Sequence, residues 1–259
     1  MEKVEISCVV PAYENLALLS RCLMSILTQQ SIKSQVIVCD DSKSESVANF
    51  VEMLSSYFPE IVYVKGPRTG NAVENWNRGL KKAIGEYCIV VHHDEFLIND
   101  KYLRYAIDRL NNKQLDAYVV SPFIVGIQRT SRFHFIQKAM FFLGRPAWML
   151  LAFNWIGPTA VIVFKNKAGL KFNQKLKYLV DVDFYYRLLS SSSRYEFSDE
   201  ISVVSIGHHS NQITSTYDFL SENKKEVLYL SSLYGIINNK YKHTFLIGYA
   251  YIKALFGRR

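Results

Sequence analysis

Three apolar runs of this chain, residues 4–10, 36–39 and 87–91, are each followed closely by polar groups: Tyr13-Glu14, Asp40-Asp41 and His93-Asp94. Read as parallel strands, all three would deliver these groups to one sheet edge, where ligands of open α/β sheets bind. Acids collected at such an edge repel phosphates unless a cation stands between them. A hard divalent ion is suited to that place, because it binds through one or two carboxylates and fills its shell with anionic oxygens of the ligand. A single acid at a strand end is as easily a structural residue; the three together point to a site.

The elements that must position these groups are legible from periodicity. The first 120 or so residues alternate short apolar runs with amphipathic ones, as a parallel sheet with crossover helices requires. Residues 16–27 place Leu16, Leu19, Leu23, Ile26 and Leu27 on one helical face. Further helices are expected over 47–57, 72–84 and 102–110, and further strands over 61–64 and 117–120, with Gly66-Pro67 breaking the pattern. Beyond Pro122 the alternation stops, and 123–156 is aromatic and basic. It resumes with a strand over 159–164, a helix over 182–189, a strand pair over 195–206 and a helix over 217–233. No repeat or low-complexity linker divides the chain. The expected fold class is α/β: a Rossmann-like, mostly parallel sheet flanked by helices, in a single domain with an insertion and C-terminal helices.

The 259 residues suffice for a buried core, and the balance of 49% hydrophobic to 21% charged residues is that of a folded protein. The four cysteines have no C-x-x-C spacing, which argues against disulfides and zinc and for a reducing cytoplasm. The net charge of +8 is uneven: no acid occurs between Asp116 and Asp181, nor after Glu226. Such asymmetry suits an anionic partner, whether nucleic acid, phosphorylated substrate or membrane. Nucleic acid does not account for the acids at the strand ends. A sugar nucleotidyltransferase would need a Gly-rich phosphate loop near its start, and there is no glycine before Gly66.

Four segments in order resemble the family 2 glycosyltransferases of GT-A fold. Residues 7–15 (SCVVPAYEN) resemble the family's opening strand, 38–42 (VCDDS) its second strand with an Asp-Asp pair, and 77–87 (NRGLKKAIGEY) its Asn-x-Gly…Gly-Glu-Tyr segment. Residues 91–97 (VHHDEFL) stand where the family carries its Asp-x-Asp metal motif, with His92 in place of the first aspartate. The second half matches more loosely, through 157–164 (GPTAVIVF), Val180-Asp181-x-Asp183 with Arg187, and 209–214 (HSNQIT). The family's processive Gln-x-x-Arg-Trp motif is absent, so a single-addition enzyme of bacterial polysaccharide or O-antigen type is implied.

The resemblance implies a sugar transfer from a nucleotide-diphosphate donor, UDP-sugar as first guess, with inversion. Pro11, Ala12, Tyr13, Glu14, Asp40, Asp41, Arg68 and His93 are then expected to hold the nucleotide, and Asp94 to hold Mg2+ or Mn2+, with His209 as a possible nitrogen ligand. Asn77 is expected to brace a loop. Asp181 matches the family's general base; a helix start favours its charged form, and the bland alternative is a helix cap. Asp183 is the neighbouring alternative, and residues two apart on a helix cannot both face one hydroxyl. Residues 1–120 are thus the expected nucleotide-sugar half, 121–216 the acceptor half with the insertion 123–156, and 217–259 a basic helical segment.

The acceptor implied is a saccharide or a polyprenyl-pyrophosphate-linked saccharide. Aromatics mixed with Arg and Lys over 123–156 and 245–259 suit peripheral contact with anionic lipid at the inner face of the cell membrane, though packing on the core explains them as well. Residues 139–156 are interrupted by Arg145-Pro146, leaving halves too short to span a bilayer. The replacement at His92 keeps open a different class: a catalytically inactive relative that only binds a nucleotide sugar or a membrane.

Overall fold

The computed structural model describes residues 3–125, 130–144, 147–191, 194–206 and 219–256. It falls into two compact units that interleave along the chain: Met1–His134, Gly157–Lys171 and Arg194–Gly207 form the first, and Phe135–Ile156, Phe172–Ser193 and His208–Arg259 the second.

The first unit holds an eight-stranded sheet of order β3-β2-β1-β4-β7-β6-β8-β5. Its nucleus is the parallel set β1 (Ile6–Ala12), β2 (Ser34–Asp40), β3 (Ile61–Lys65) and β4 (Tyr87–Val90). Residues of β1 and β2 are buried almost throughout, which is why these runs read as continuously apolar rather than alternating. Helices α1 (Leu16–Leu27), α2 (Ser46–Ser55), α3 (Ala72–Lys82) and α4 (Tyr102–Asn112) cross over between strands, each burying an apolar stripe such as Leu19, Cys22, Leu23 and Ile26 of α1. Asn15 and Asn71 cap α1 and α3 by accepting from the Leu18 and Glu74 amides. The four cysteines are buried and free.

The rest of the sheet departs from the sequence reading in four places. β6 runs over Ala117–Val125 rather than stopping before Pro122; its pairing with β8 shifts register on both sides of Ser121, and an irregularity is where a strand tolerates proline. Residues 195–206 form one strand, β8 (Tyr195–Ile206), not a pair. Ser198-Asp199-Glu200 lies between the two segments of β8 that are in register with β6. Strand β7 (Ile162–Lys165) begins only after a 3-10 turn at Thr159–Val161 and pairs antiparallel to both β4 and β6. The three-residue β5 (Glu95–Leu97), pairing with β8, had no signal of its own.

The second unit contains α5 (Thr130–Phe142, from Phe135 onward), α6 (Val180–Ser190), α7 (Phe219–Leu233) and α8 (Lys240–Phe256). Helix α6 begins two residues before its expected start, so Asp181 lies in its first turn. Trp155 is fully buried and meets Phe141 edge-on, while Phe172 stacks on Phe184. Among the described residues no helix is long and apolar enough to cross a membrane.

Candidate active site

The parallel register puts the predicted strand ends level. Ala12 of β1 lies beside Asp40 of β2, Asp40 beside Lys65 of β3, and the Val91 amide donates to the Val9 carbonyl just before His92. Pro11 and Ala12 are buried, and Tyr13 is exposed at the edge.

Two non-glycine residues at this edge adopt left-handed backbone, Glu14 (φ 54°) and Arg68 (φ 59°). Such geometry costs energy and persists where surrounding contacts enforce it. The Glu14 amide donates to Ser42 Oγ, and the Glu14 carboxylate accepts from the Lys43 amide at 2.6 Å and from Ser44 Oγ at 2.8 Å. The Ser44 hydroxyl and then the Lys43 amide hold the Glu14 carboxyl below the ordinary range. The Arg68 amide donates to Asp41 Oδ1 at 2.9 Å, and its guanidinium pairs with Glu45, which Lys65 also meets.

Asp40 and Asp41 are both buried and both engaged. Asp40 accepts from Tyr63 Oη at 2.7 Å and from the Ser42 amide at 2.8 Å. Asp41 accepts from the Arg68 amide at 2.9 Å and the Gly70 amide at 2.7 Å, which ties the 66–70 loop to the end of β2. Gly66 is required here: a Cβ would stand 2.5 Å from both the Asp40 carbonyl and Asp41 Oδ1. Asn75 is a residue the sequence reading passed over in favour of Asn77. It is buried on α3 and donates to the Cys39 carbonyl at 2.7 Å, satisfying the backbone at the β2 end. Its signal was a polar residue in the buried stripe of α3, between Val73 and Gly79.

The segment after β4 is braced from beneath. Glu95 Oε2 accepts from the His92 amide at 3.0 Å, the Ala160 amide at 3.1 Å and Thr159 Oγ1 at 3.2 Å. Burial, reinforced by neighbouring Asp94, pushes its carboxyl up to about 8. The three donors work against that rise, and burial outweighs them. Sequence reading missed Glu95, although it stands inside the quoted motif. His92 lies against Trp76 in a tilted arrangement with ring centroids 4.6 Å apart, and burial holds its imidazole down to about 4, hence neutral. His93 and Asp94 are half-buried beyond it, and the Asp94 carbonyl accepts from the Ile206 amide at 2.9 Å.

Among the described residues no group of three or more His, Cys, Asp and Glu gathers to hold a metal by itself. One half-buried carboxylate, Asp94, beside a neutral imidazole fits a cation whose remaining ligands come from a diphosphate and water. His209 lies outside the described residues.

In the second unit, α6 separates its two acids. Asp183 is fully buried and accepts from Arg187 Nε and Nη2 at 3.0 and 2.8 Å and from Tyr234 Oη. Asp181 is half-buried; its Oδ1 accepts from the Val182 amide and its Oδ2 from Asn154 Nδ2 at 2.7 Å. Burial, and second the Asp181 charge, pushes the neighbouring Tyr178 phenol up to about 12. Asp183 is thus fully engaged within the core, while Asp181 lies half-buried beside Asn154.

A family model described as glycosyl transferase family 2 matches residues 7–172. The chain belongs to that family. It is 28% identical over 217 residues to an uncharacterised protein of Mycobacterium tuberculosis, covering 76% of this chain and 66% of that one. Among solved structures, S. aureus TarS 1–349 in complex with UDP-GlcNAc matches with a TM-score of 0.67 at 17% identity, over 86% of this chain and 65% of that chain. The mannosyltransferase PcManGT from Pyrobaculum calidifontis, in complex with GDP-Man and Mn2+, matches with a TM-score of 0.61 at 12% identity, over 100% of this chain and 89% of that chain. These two likenesses establish the fold. The chain spans about two thirds of the length of the curated relatives it first matches. The α/β GT-A fold expected of this family 2 member is the one observed.

Proposed function

We propose that this chain is a glycosyltransferase that moves a sugar from a nucleotide-diphosphate donor to a saccharide or lipid-linked saccharide, with inversion. The observation that carries the reading is the level edge of β1, β2 and β4, where exposed Tyr13, the braced 66–70 loop and Asp94 follow one another. Tyr13 stacks on the base, while Asp40 and Asp41 shape the surrounding loop and offer it their remaining lone pairs. Residues 1–120 serve the donor and 121–216 the acceptor.

Asp94 is the residue to hold Mg2+ or Mn2+, with His209 as a candidate second ligand. The ion supplies neutralisation of the charge that develops on the diphosphate as it leaves. Asp181 accepts the proton of the attacking acceptor hydroxyl, held in its rotamer by Asn154 and the Val182 amide. The nucleotide complexes of the structural neighbours, UDP-GlcNAc in one and GDP-Man in the other, make UDP-sugars the first donors to try and GDP-sugars the next.

Helix α5 supports a peripheral place on the inner face of the cell membrane. Gln137 is buried and donates to the Ile156 carbonyl, and Phe141 rests on Trp155. Phe135 and Phe142, by contrast, are 72% and 91% exposed, with exposed Lys138 between them and no acid in the helix. Aromatic rings flanking a lysine suit an anionic lipid surface, where a pyrophosphate-linked acceptor also resides.

The test is a screen of nucleotide sugars for transfer and thermal stabilisation with and without Mg2+ or Mn2+, repeated on Asp181→Asn. Metal-dependent transfer by the native chain, lost in the variant with nucleotide binding retained, supports the reading. Binding without transfer in both chains points to the inactive relative, and stabilisation by no nucleotide sugar defeats both. Flotation with anionic but not zwitterionic vesicles, weakened by Phe142→Ser, is the expected membrane result; equal behaviour of the two chains would sink it.

A further inference from the structure

Glu226 is an acid in the middle of a core stripe. Helix α7 buries Asn223, Glu226, Val227, Leu230 and Ser231, the three-and-four spacing of a helix face turned inward. A carboxylate only 6% exposed needs partners, and these are three consecutive backbone amides. Glu226 Oε1 accepts from Lys177 at 2.6 Å, and Oε2 accepts from Tyr178 at 3.1 Å and Leu179 at 2.7 Å. Successive amides converging on one anion form a nest of the kind that elsewhere binds a phosphate; here the chain supplies the anion itself.

The location of this nest gives it a consequence. Leu179 is the residue before α6 and has no side-chain cap to offer, and its carbonyl accepts the first helical bond, from Asp183, at 2.9 Å. Asp181 follows two positions on. A helix is stiff, so whatever fixes residues 177–179 fixes the entry of α6 and with it the Cα of Asp181. Asp183, in the same first turn, is tied in addition to Arg187 and Tyr234. The Asn154 bond then sets the Asp181 rotamer.

We infer that Glu226 is a positioning residue for Asp181: it staples the lead-in of α6 so that the candidate base is held ready, without touching substrate. This rests on the reading of Asp181 as the general base. Loss of the staple displaces a carboxylate whose use depends on placement, and misplacement by about 1 Å costs on the order of a hundredfold in rate.

Glu226→Gln keeps the size of the side chain but turns an NH2 toward the amides. Expected is a fall in kcat of about ten- to a hundredfold, with the donor KM and nucleotide affinity within about twofold of native. Hydrogen exchange in the full chain should speed up at the 177–179 amides, and Glu226→Asp should recover part of the rate. In an Asp181→Asn background, Glu226→Gln should leave the residual rate unchanged, since a residue that acts through another has no effect once that other is gone. Native kcat in Glu226→Gln overturns the inference, as does a loss that multiplies with that of Asp181→Asn or that brings loss of nucleotide binding with it. Undiminished transfer by Asp181→Asn alone is the separate result that overturns the base reading itself.

Discussion

Asn154 and Asp181 are joined by a hydrogen bond of 2.7 Å, in which the Asn154 amide nitrogen donates to the Asp181 carboxylate. The Asn154 amide cannot turn over, because its oxygen accepts from the Ile156 amide at 3.1 Å. A donor so fixed holds the carboxylate plane still. Asp181→Asn is expected to lower kcat by about 10²- to 10⁴-fold, the span of general base catalysis. Asn154→Ala removes orientation but leaves the proposed base, and about tenfold is expected with donor KM unmoved. Steady-state kinetics at saturating donor decides both.

Asp183→Asn should act on stability instead. The native carboxylate is fully buried and answers Arg187 and Tyr234. An amide cannot accept from all three donor nitrogens and oxygens without turning its own NH2 toward them. Because Arg187 keeps some solvent contact, the loss is expected below the buried-pair range, at about 2–3 kcal/mol. Chemical denaturation measures it, and a variant as stable as native would show the network to be dispensable.

Gly66→Ala tests the loop that Asp41 ties down. The added Cβ falls 2.5 Å from backbone and carboxylate oxygens, so the 66–70 loop must shift. Nucleotide affinity is expected to drop at least about tenfold, with a smaller change in melting temperature. Isothermal titration with UDP and GDP reads this directly; native affinity would remove the loop from the nucleotide site.

Glu95 predicts a pH dependence of the metal-free chain. Its folded carboxyl titrates at about 8 against 4.5 for the ordinary group, so the folded state holds the proton more tightly. The resulting contribution to stability is full below 4.5 and is lost as pH rises from there through about 8. In EDTA the melting temperature should therefore decline over this window. Glu95→Gln, which carries its NH2 where the proton was, should flatten the decline, and an unchanged slope in that variant would assign the dependence to other groups.

Much of the first unit was written in local pattern. The apolar runs of β1, β2, β3 and β4 with stripes such as that of α1 announced parallel strands and crossovers, because a strand buried on both faces leaves no room for polar residues. The polar groups of the strand ends were legible for the same reason: they are where each run stops. The length of β6 and the unity of β8 were not legible, since a register shift and a polar stretch between two segments in register with β6 look locally like a break and a turn.

Sequence by itself determined that acids stand at the ends of neighbouring strands and that Asp181 or Asp183 opens a helix. Only tertiary structure decided which donors each acid meets. Asp40, Asp41, Glu95, Asp183 and Glu226 are all buried, yet each is answered by donors that lie elsewhere in the chain, Tyr63, Gly70, Ala160, Tyr234 and Lys177 among them. Whether a carboxylate is a brace or a base depends on which donors folding brings to it. Local pattern fixes a residue's place along its own element, and donors recruited from distant elements are set by packing alone.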